Sequence, residues 1–212
     1  PTIIYVNQAT GSDDNDGNSW NTAFKTLQKA LAAACTNTQI WVATGTYYPD
    51  EGPSTTNNER SMSFAMKEGV KLYGGFAGNE ATLTARNWAT NVCILSGEIQ
   101  QDNNLKNNSY HVIYNYGNGL TQAAVLDGFI IQEGYSNVSG NNNYGGGLFV
   151  NGSSPLIVNC IFRANRSLGG SATALSFSNT SFINCAFEGN TSPFSTLLIQ
   201  QDSAPTFRNC SI

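Results

Sequence analysis

Three segments near the C-terminus repeat one pattern: PLIVNCIFRAN at 155–165, TSFINCAFEGN at 180–190 and PTFRNCSI at 205–212. Their cysteines, Cys160, Cys185 and Cys210, follow one another at intervals of 25 residues, and an asparagine directly precedes each of them. A fixed period of about 20–50 residues is typical of solenoids, in which each repeat packs only against its neighbours. The sequence therefore predicts stacked coils in this part of the chain.

The repeats have the pattern of short strands and lack the three- and four-residue spacing of an amphipathic helix. Arg208 indicates that its column, which also holds Val158 and Ile183, faces outward. We expect these residues to face the core: Ile157, Phe182 and Phe207, the three cysteines, and Phe162, Phe187 and Ile212.

The asparagine before each cysteine marks a bend, because asparagine tolerates the left-handed backbone conformation. Side-chain amides stacked at this position can hydrogen-bond from one coil to the next. Gly45, Gly74, Gly97 and Gly128 are expected to occupy comparable bends in weaker, more N-terminal copies of the repeat. Together these features predict an all-β fold, a parallel β-helix of roughly seven coils with loops of differing length.

The first 38 residues differ from the rest. TIIYVN at 2–7 predicts a strand, a polar loop follows, and AFKTLQKALAAA at 23–34 predicts a helix with one apolar stripe. Such a helix would cover the open end of a solenoid. We therefore expect one continuous domain, with a cap at 1–38 and coils at 39–212. Because Ile212 falls within a predicted strand, we also expect the coils to continue in a longer chain.

Two sets of motifs carry a resemblance to a known family. YVNQATGSDDNDGNSWNTAFKTLQKAL at 5–31 with IWVATGTYYP at 40–49 resembles the cap and first coil of secreted bacterial β-helix proteins of the pectate-lyase-like superfamily. GGGL at 145–148, FRAN at 162–165 and FEGN at 187–190 are similar to the repeats of polymorphic outer-membrane proteins. The resemblance implies a right-handed parallel β-helix, a secreted or extracellular cell-surface location, and either an adhesin or a polysaccharide-degrading enzyme.

The charge pattern and the lengths of the apolar runs argue against nucleic-acid binding and against a membrane-spanning segment. The chain has 10 basic and 14 acidic residues, a net charge of −4, and no cluster of Lys and Arg, so a nucleic-acid partner is not expected. No apolar run approaches the ~18 residues of a membrane span, so no transmembrane segment is expected.

Catalysis on this fold would need carboxylates gathered on one face. The acidic residues are sparse, and the best predicted patch combines Glu98, Asp102, Lys106 and Asp127 near successive bends. The alternative interpretation is that these are solvated loop charges. His111 is the single histidine and is expected to be packed or at the surface. No cofactor other than calcium is expected.

Asp13, Asp14, Asn15 and Asp16 place several oxygen ligands ahead of a turn glycine, which suits Ca²⁺. The alternative is an ordinary polar turn. The three cysteines of the repeat are spaced closely enough for disulfides, but parallel side chains favour stacked free thiols.

Aromatic side chains offer a platform for stacking sugars, formed by Tyr110, Tyr114 and Tyr116 with Trp88 in a neighbouring loop. Ordinary packing under a loop is the alternative. The sequence thus favours a non-enzymatic, adhesin-like segment that contacts polysaccharides or cell-surface glycans. The alternative function is a polysaccharide lyase or glycoside hydrolase.

Overall fold

The computed structural model describes residues 1–138 and 143–212, whose strands stack into parallel sheets around one hydrophobic core. Sheet A contains β1 (Thr2–Val6), β2 (Thr38–Ala43), β4 (Lys71–Phe76), β7 (Val125–Asp127), β11 (Leu156–Val158), β15 (Ser181–Ile183) and β18 (Thr206–Arg208). Sheet B contains β3 (Gly45–Tyr47), β5 (Cys93–Ser96), β8 (Ile130–Gln132), β12 (Ile161–Arg163) and β16 (Ala186–Glu188). Sheet C contains β6 (Ile113–Tyr116), β10 (Leu148–Asn151), β14 (Thr173–Ser176) and β17 (Leu197–Gln200). A short fourth sheet pairs β9 (Tyr135–Ser136) with β13 (Arg166–Ser167).

The strand register follows the 25-residue period of the sequence. In sheet A, Ile157 pairs with Phe182 and Phe182 with Phe207, and in sheet B Phe162 pairs with Phe187. All pairings between the described strands are parallel. The predicted parallel β-helix is therefore confirmed.

The predicted core columns are buried within the stack. Ile157, Phe162 and Phe182 have no exposed surface, and the rings of Phe182 and Phe207 stack with centroids 4.9 Å apart. Val158 and Ile183 are half-buried on the outer face, as expected. Ile212 follows Ser211, which forms a parallel bridge with Ala186, so it continues the column of Phe162 and Phe187, and in the last described coil it is 74% exposed.

The asparagines at the bend after sheet A adopt the predicted left-handed conformation. Asn159, Asn184 and Asn209 have φ angles of 50°, 54° and 52°. Asn209 Nδ2 donates to Asn184 Oδ1 at 3.2 Å, and Asn184 Nδ2 donates to Asn159 Oδ1 at 3.2 Å. Each amide therefore bonds to the next coil; we call these three residues the Asn column.

Of the four glycines predicted at the bend of the Asn column, two lie there and two lie at other positions of the coil. Gly74 and Gly128 extend the Asn column, since Tyr73 pairs with Asp127 and Asp127 with Val158. Ser96 pairs with Gln132, so Gly97 lies at the bend after sheet B instead. Gly45 pairs with Cys93 and lies one residue beyond the bend, at the start of β3. Both errors arise because the loops between these coils hide the register in the sequence.

The predicted N-terminal helix is present but shorter than expected. Helix α1 spans Leu27–Ala33, and Thr26 caps it by accepting from Lys29 N at 3.3 Å. Phe24 lies before the helix and forms a parallel bridge with Val6 of β1. Because β1 pairs with β2, the N-terminal strand belongs to sheet A together with the coils.

The structure also has single 3-10 turns in its described part, at Trp20–Thr22, Leu83–Ala85 and Leu105–Asn107. No helix in the described ranges has the length and apolar composition needed to cross a membrane.

Candidate functional site

A groove of about 440 Å³ follows the bend between sheets A and B; we call it the Trp88 groove. Its floor is formed by Gly128, Asn159 and Asn184. One end is bounded by Trp88, and the apolar side includes Ile130, Ile161 and Ala186. These three apolar residues pair in register in sheet B, so each coil contributes one of them. The groove therefore runs along the axis of the solenoid.

Trp88 reaches the groove on the loop that joins β4 to β5. Asn87 N donates to Gly75 O at 2.7 Å, and Asn91 Nδ2 donates to the same oxygen at 3.2 Å. Gly75 has a φ angle of +101°, and a Cβ there would lie 2.7 Å from Trp88 Cα. The glycine thus permits the loop to pack directly on sheet A, which leaves the Trp88 side chain 44% exposed.

Arg86 supports Trp88 from within the protein. Its Nη2 lies 2.6 Å from Asp127 Oδ2, and its Nη1 donates to Gly74 O at 2.9 Å. The guanidinium carbon is 5.0 Å from the ring centroids of both Trp88 and Tyr73. The side chains of Arg86 and Asp127 are only 8% and 11% exposed, so each largely neutralises the charge of the other in a nearly buried environment.

Asp127 also joins this support to the Asn column. Asn159 Nδ2 donates to Asp127 Oδ1 at 2.8 Å, so a continuous series of polar contacts runs from Arg86 through Asp127 to Asn209. Burial raises the pKa of the half-buried Tyr73 hydroxyl, and the Asp127 carboxylate adds to the rise. The network fixes the groove floor and the indole relative to each other.

The structure does not bring Asp127 together with the other three residues of the predicted catalytic patch. Glu98 Oε1 accepts from Asp102 N at 2.6 Å and Asn103 N at 2.7 Å, within the loop after β5. Asp102 accepts from Asn104 N, and the exposed Lys106 follows in the same loop. Glu98, Asp102 and Lys106 thus form one local loop, whereas Asp127 is engaged by Arg86 and Asn159.

Glu98 instead belongs to an acidic group around Tyr48 that the sequence did not reveal. Burial raises the pKa of Tyr48, and the carboxylates of Glu98, Glu51, Glu133 and Asp50 raise it further. The group combines loops that are far apart in the sequence, so no spacing could have identified it. Within the described residues, no three His, Cys, Asp or Glu side chains are arranged to hold a metal ion.

The predicted calcium loop uses much of its polar capacity within the protein. Asp13 Oδ1 accepts from Lys25 N at 3.0 Å and Thr26 N at 2.9 Å, and Asn15 Nδ2 donates to Ala23 O at 2.9 Å. Asp16 Oδ1 accepts from Asn18 N at 3.0 Å, while the Asp14 side chain is exposed. Asp13 therefore anchors the start of α1, and Asp14 and Asp16 face solvent.

The four predicted glycan-contact residues lie in three separate places. Tyr110 stacks against the guanidinium of Arg60 at 4.3 Å. Tyr114 and Tyr116 stack with centroids 6.2 Å apart on sheet C, where Tyr116 is 56% exposed. Trp88 lies at the bend between sheets A and B. His111 is packed, as expected, with only 5% exposure.

The cysteines are free thiols, as the preferred interpretation predicts. Burial raises the pKa of Cys185 to about 12 and that of Cys160 well above its usual range. Cys93 lies in the same core column as these cysteines. Ile94, the residue after Cys93, pairs with Ile130, and Ile161, the residue after Cys160, pairs with Ile130 from the other side. The place of Cys93 was missed because Phe129 occupies the intervening coil.

A second groove of about 450 Å³ lies beside α1. Among the described residues that line it, Lys67 alone is charged, and its Nζ donates to Leu31 O at 3.1 Å and to Ala34 O. Those bonds satisfy the C-terminal carbonyls of α1. Lys67 therefore serves the helix, and this groove lacks an exposed aromatic ring.

The stacked parallel sheets and the loop-built groove define a parallel β-helix protein with a surface groove. The chain belongs to the family described as "Protein of unknown function (DUF1565)", which matches residues 9–205. No curated protein matches it. Among solved structures, a rhamnogalacturonan lyase is similar, with a TM-score of 0.46 and 16% identity over 99% of this chain and 56% of that chain. The chain thus spans little more than half the length of that lyase.

Proposed function

We propose that this chain is a non-enzymatic, glycan-binding segment of a secreted, cell-surface β-helix protein, and that the Trp88 groove is its binding site. The observation that carries the proposal is the placement of an indole, 44% exposed and backed by Arg86, at the end of a column of asparagine amides. Ligand sites usually combine an apolar surface with a few fixed polar groups.

The chemistry of a sugar fits this combination. The apolar C–H face of a pyranose packs on an aromatic ring, whereas its hydroxyls both donate and accept hydrogen bonds. The amide of Asn184 has two N–H groups and donates one of them to Asn159, so a second donor remains for a ligand. The Arg86 contact holds the indole in place, which reduces the entropy lost on binding.

Binding to a panel of neutral and acidic polysaccharides, measured by affinity electrophoresis and calorimetry, tests this proposal. We expect Trp88→Ala to weaken binding at least about tenfold, the scale of an aromatic hot spot. Tyr116→Ala is the matched control, since it removes a similarly exposed ring from sheet C. Loss of binding in Tyr116→Ala but not in Trp88→Ala would place the site on sheet C and reject the groove.

A lyase or hydrolase is the second candidate function, and the acidic group around Tyr48 favours it. Burial raises the pKa of Glu51, and Asp50 raises it further, whereas two backbone N–H groups bind the Glu98 carboxylate. Acid–base cleavage of a glycoside uses a pair of acidic side chains, one of which has a raised pKa, and the carboxylate that raises the pKa of Glu51 is Asp50. New reducing or unsaturated ends that disappear in Glu51→Gln and Glu98→Gln would establish this function.

The location is part of the main proposal and is supported by the motifs shared with secreted β-helix proteins. Surface proteolysis or labelling of intact cells that express the native gene tests it. A protein found only inside the cell would contradict it.

A further inference from the structure

We infer that the Trp88 groove takes an uncharged polysaccharide that lies along the solenoid axis, with successive sugars over successive coils. The inference rests on the proposed function and specifies its ligand. Three features of the groove support it: its charge, the spacing of its amides, and the line of apolar side chains beside them.

The groove offers no charge to an acidic polymer. None of the described residues that line it is charged, and Arg86 beneath the indole is already paired with Asp127 at 2.6 Å. A polyuronate carries a carboxylate on each sugar, and its recognition normally relies on Arg, Lys or a bound cation. Desolvating such carboxylates against Ile161 and Ala186 would be unfavourable. Charge complementarity therefore favours a neutral chain.

The amides of the groove repeat once per coil. Neighbouring coils are about 4.8 Å apart, which is similar to the length of one pyranose unit in an extended, equatorially linked chain. Asn159 and Asn184 are linked by a single hydrogen bond of 3.2 Å and occupy the same position in successive coils. An extended polymer parallel to the axis would thus place successive sugars beyond Gly128 over the equivalent amides of Asn159 and Asn184.

The apolar side of the groove has the same period. Ile130, Ile161 and Ala186 form one line in sheet B, each half-buried on its outer face. A sugar stacked on Trp88 would lie above Gly128, and the following sugars would lie between this line and the Asn column. Affinity should therefore increase with chain length until the ligand spans these coils.

Calorimetric titration of the full chain with β-1,4-linked gluco-oligosaccharides, from disaccharide to hexasaccharide, tests the inference alongside oligogalacturonates of equal length. We expect the neutral series to gain affinity with length and the acidic series to bind at least about tenfold more weakly. Asn184→Gly removes the amide but keeps a residue suited to φ of 54°. It should lower the affinity of the longer ligands several-fold and leave the disaccharide unchanged.

The outcomes separate the inference from the proposed function. If acidic oligomers bind more tightly and Trp88→Ala abolishes that binding, the groove is the site but the neutral ligand is wrong. If both series bind equally well, the preference for a neutral chain is wrong, and if affinity is independent of length, the alignment along the axis is wrong. If Trp88→Ala changes neither series, the proposed function itself fails. Thermal unfolding of both variants, with Tyr116→Ala as the reference, verifies that they are folded.

Discussion

The regular coils at 155–212 and the loop-bearing coils before them use the same bend in different ways. In the regular coils an asparagine occupies it and bonds to the next coil, as Asn184 does with Asn159. In the earlier coils it is a glycine, because a Cβ on Gly128 would lie 3.0 Å from both Trp88 Cβ and Arg86 Nη1. The asparagines stabilise the repeat, whereas the glycine makes room for the loop that forms the groove. Regular coils thus provide the frame, and departures from regularity provide the site.

The largest expected effect is the loss of an aromatic core residue from the regular coils. Phe182→Ala should lower the free energy of unfolding by about 3–5 kcal/mol, because this fully buried ring packs on Phe162, Phe187 and Phe207. Urea denaturation followed by circular dichroism measures the change. Phe177→Ala is the control, since that side chain is 51% exposed and should contribute less than about 0.5 kcal/mol. Equal losses in both variants would show that the stack does not dominate stability.

In the loop-bearing coils, the largest expected loss of stability comes from breaking the Arg86–Asp127 ion pair. Arg86→Met should destabilise the protein by about 3 kcal/mol, because it leaves Asp127 as an unpaired carboxylate that is only 11% exposed. Replacing both partners, with Arg86→Met and Asp127→Asn, should be less harmful than the single change. Equal denaturation midpoints for the two variants would mean that the ion pair does not hold the loop.

The contrast between the two regions also explains what could be predicted from the sequence. The core columns and the bends at Asn159, Asn184 and Asn209 were predictable because identical residue types recur at one interval and so reveal the register. The same argument failed for Gly45 and Gly97, where loops of unequal length shift the interval.

The candidate site was predictable only in part. Trp88 and Asp127 were both selected from the sequence, but for different sites. Their association depends on Arg86, whose loop path no periodicity encodes. The acidic group around Tyr48 was missed for the same reason, because three separate loops supply it.

The two kinds of asparagine in the regular coils should differ in their contribution to stability. Asn165 is fully buried, accepts from Gly134 N at 3.0 Å and donates to Ile131 O at 2.9 Å. Asn165→Ala should therefore cost about 2–3 kcal/mol, because both backbone groups lose their partner. Asn184→Gly, at an exposed bend, should cost less than about 1 kcal/mol. Chemical denaturation of the two variants compares them, and a reversed order would show that the outer column is the main clamp.

The buried thiols should make the regular coils sensitive to alkaline pH. Burial raises the pKa of Cys185 from 9.0 to about 12, so between those values the unfolded state loses a proton that the folded state retains. Stability contributed by this thiol is complete below pH 9 and declines above it, by up to about 1.4 kcal/mol per pH unit. Cys185→Ala has no thiol at this position, so the difference in free energy of unfolding between the native chain and this variant should narrow as the pH rises from 9. A difference that stays constant up to pH 11 would contradict the burial of the thiol.

The smallest expected effect concerns calcium at the N-terminal loop, outside the regular coils. Asp13 and Asn15 hydrogen-bond within the protein and Asp16 Oδ1 accepts a hydrogen bond from Asn18 N, but the carboxylates of Asp14 and Asp16 are exposed and would supply most of the attraction for Ca²⁺. We expect calcium to raise the Tm by about 1–2 °C relative to chelator, because stabilisation below 1 kcal/mol shifts a domain of this size only slightly. Differential scanning calorimetry measures the shift, and the double variant Asp14→Asn with Asp16→Asn should abolish it. A calcium shift that survives in this variant would place the ion elsewhere, and no shift in the native chain would leave 12–18 as a purely polar turn.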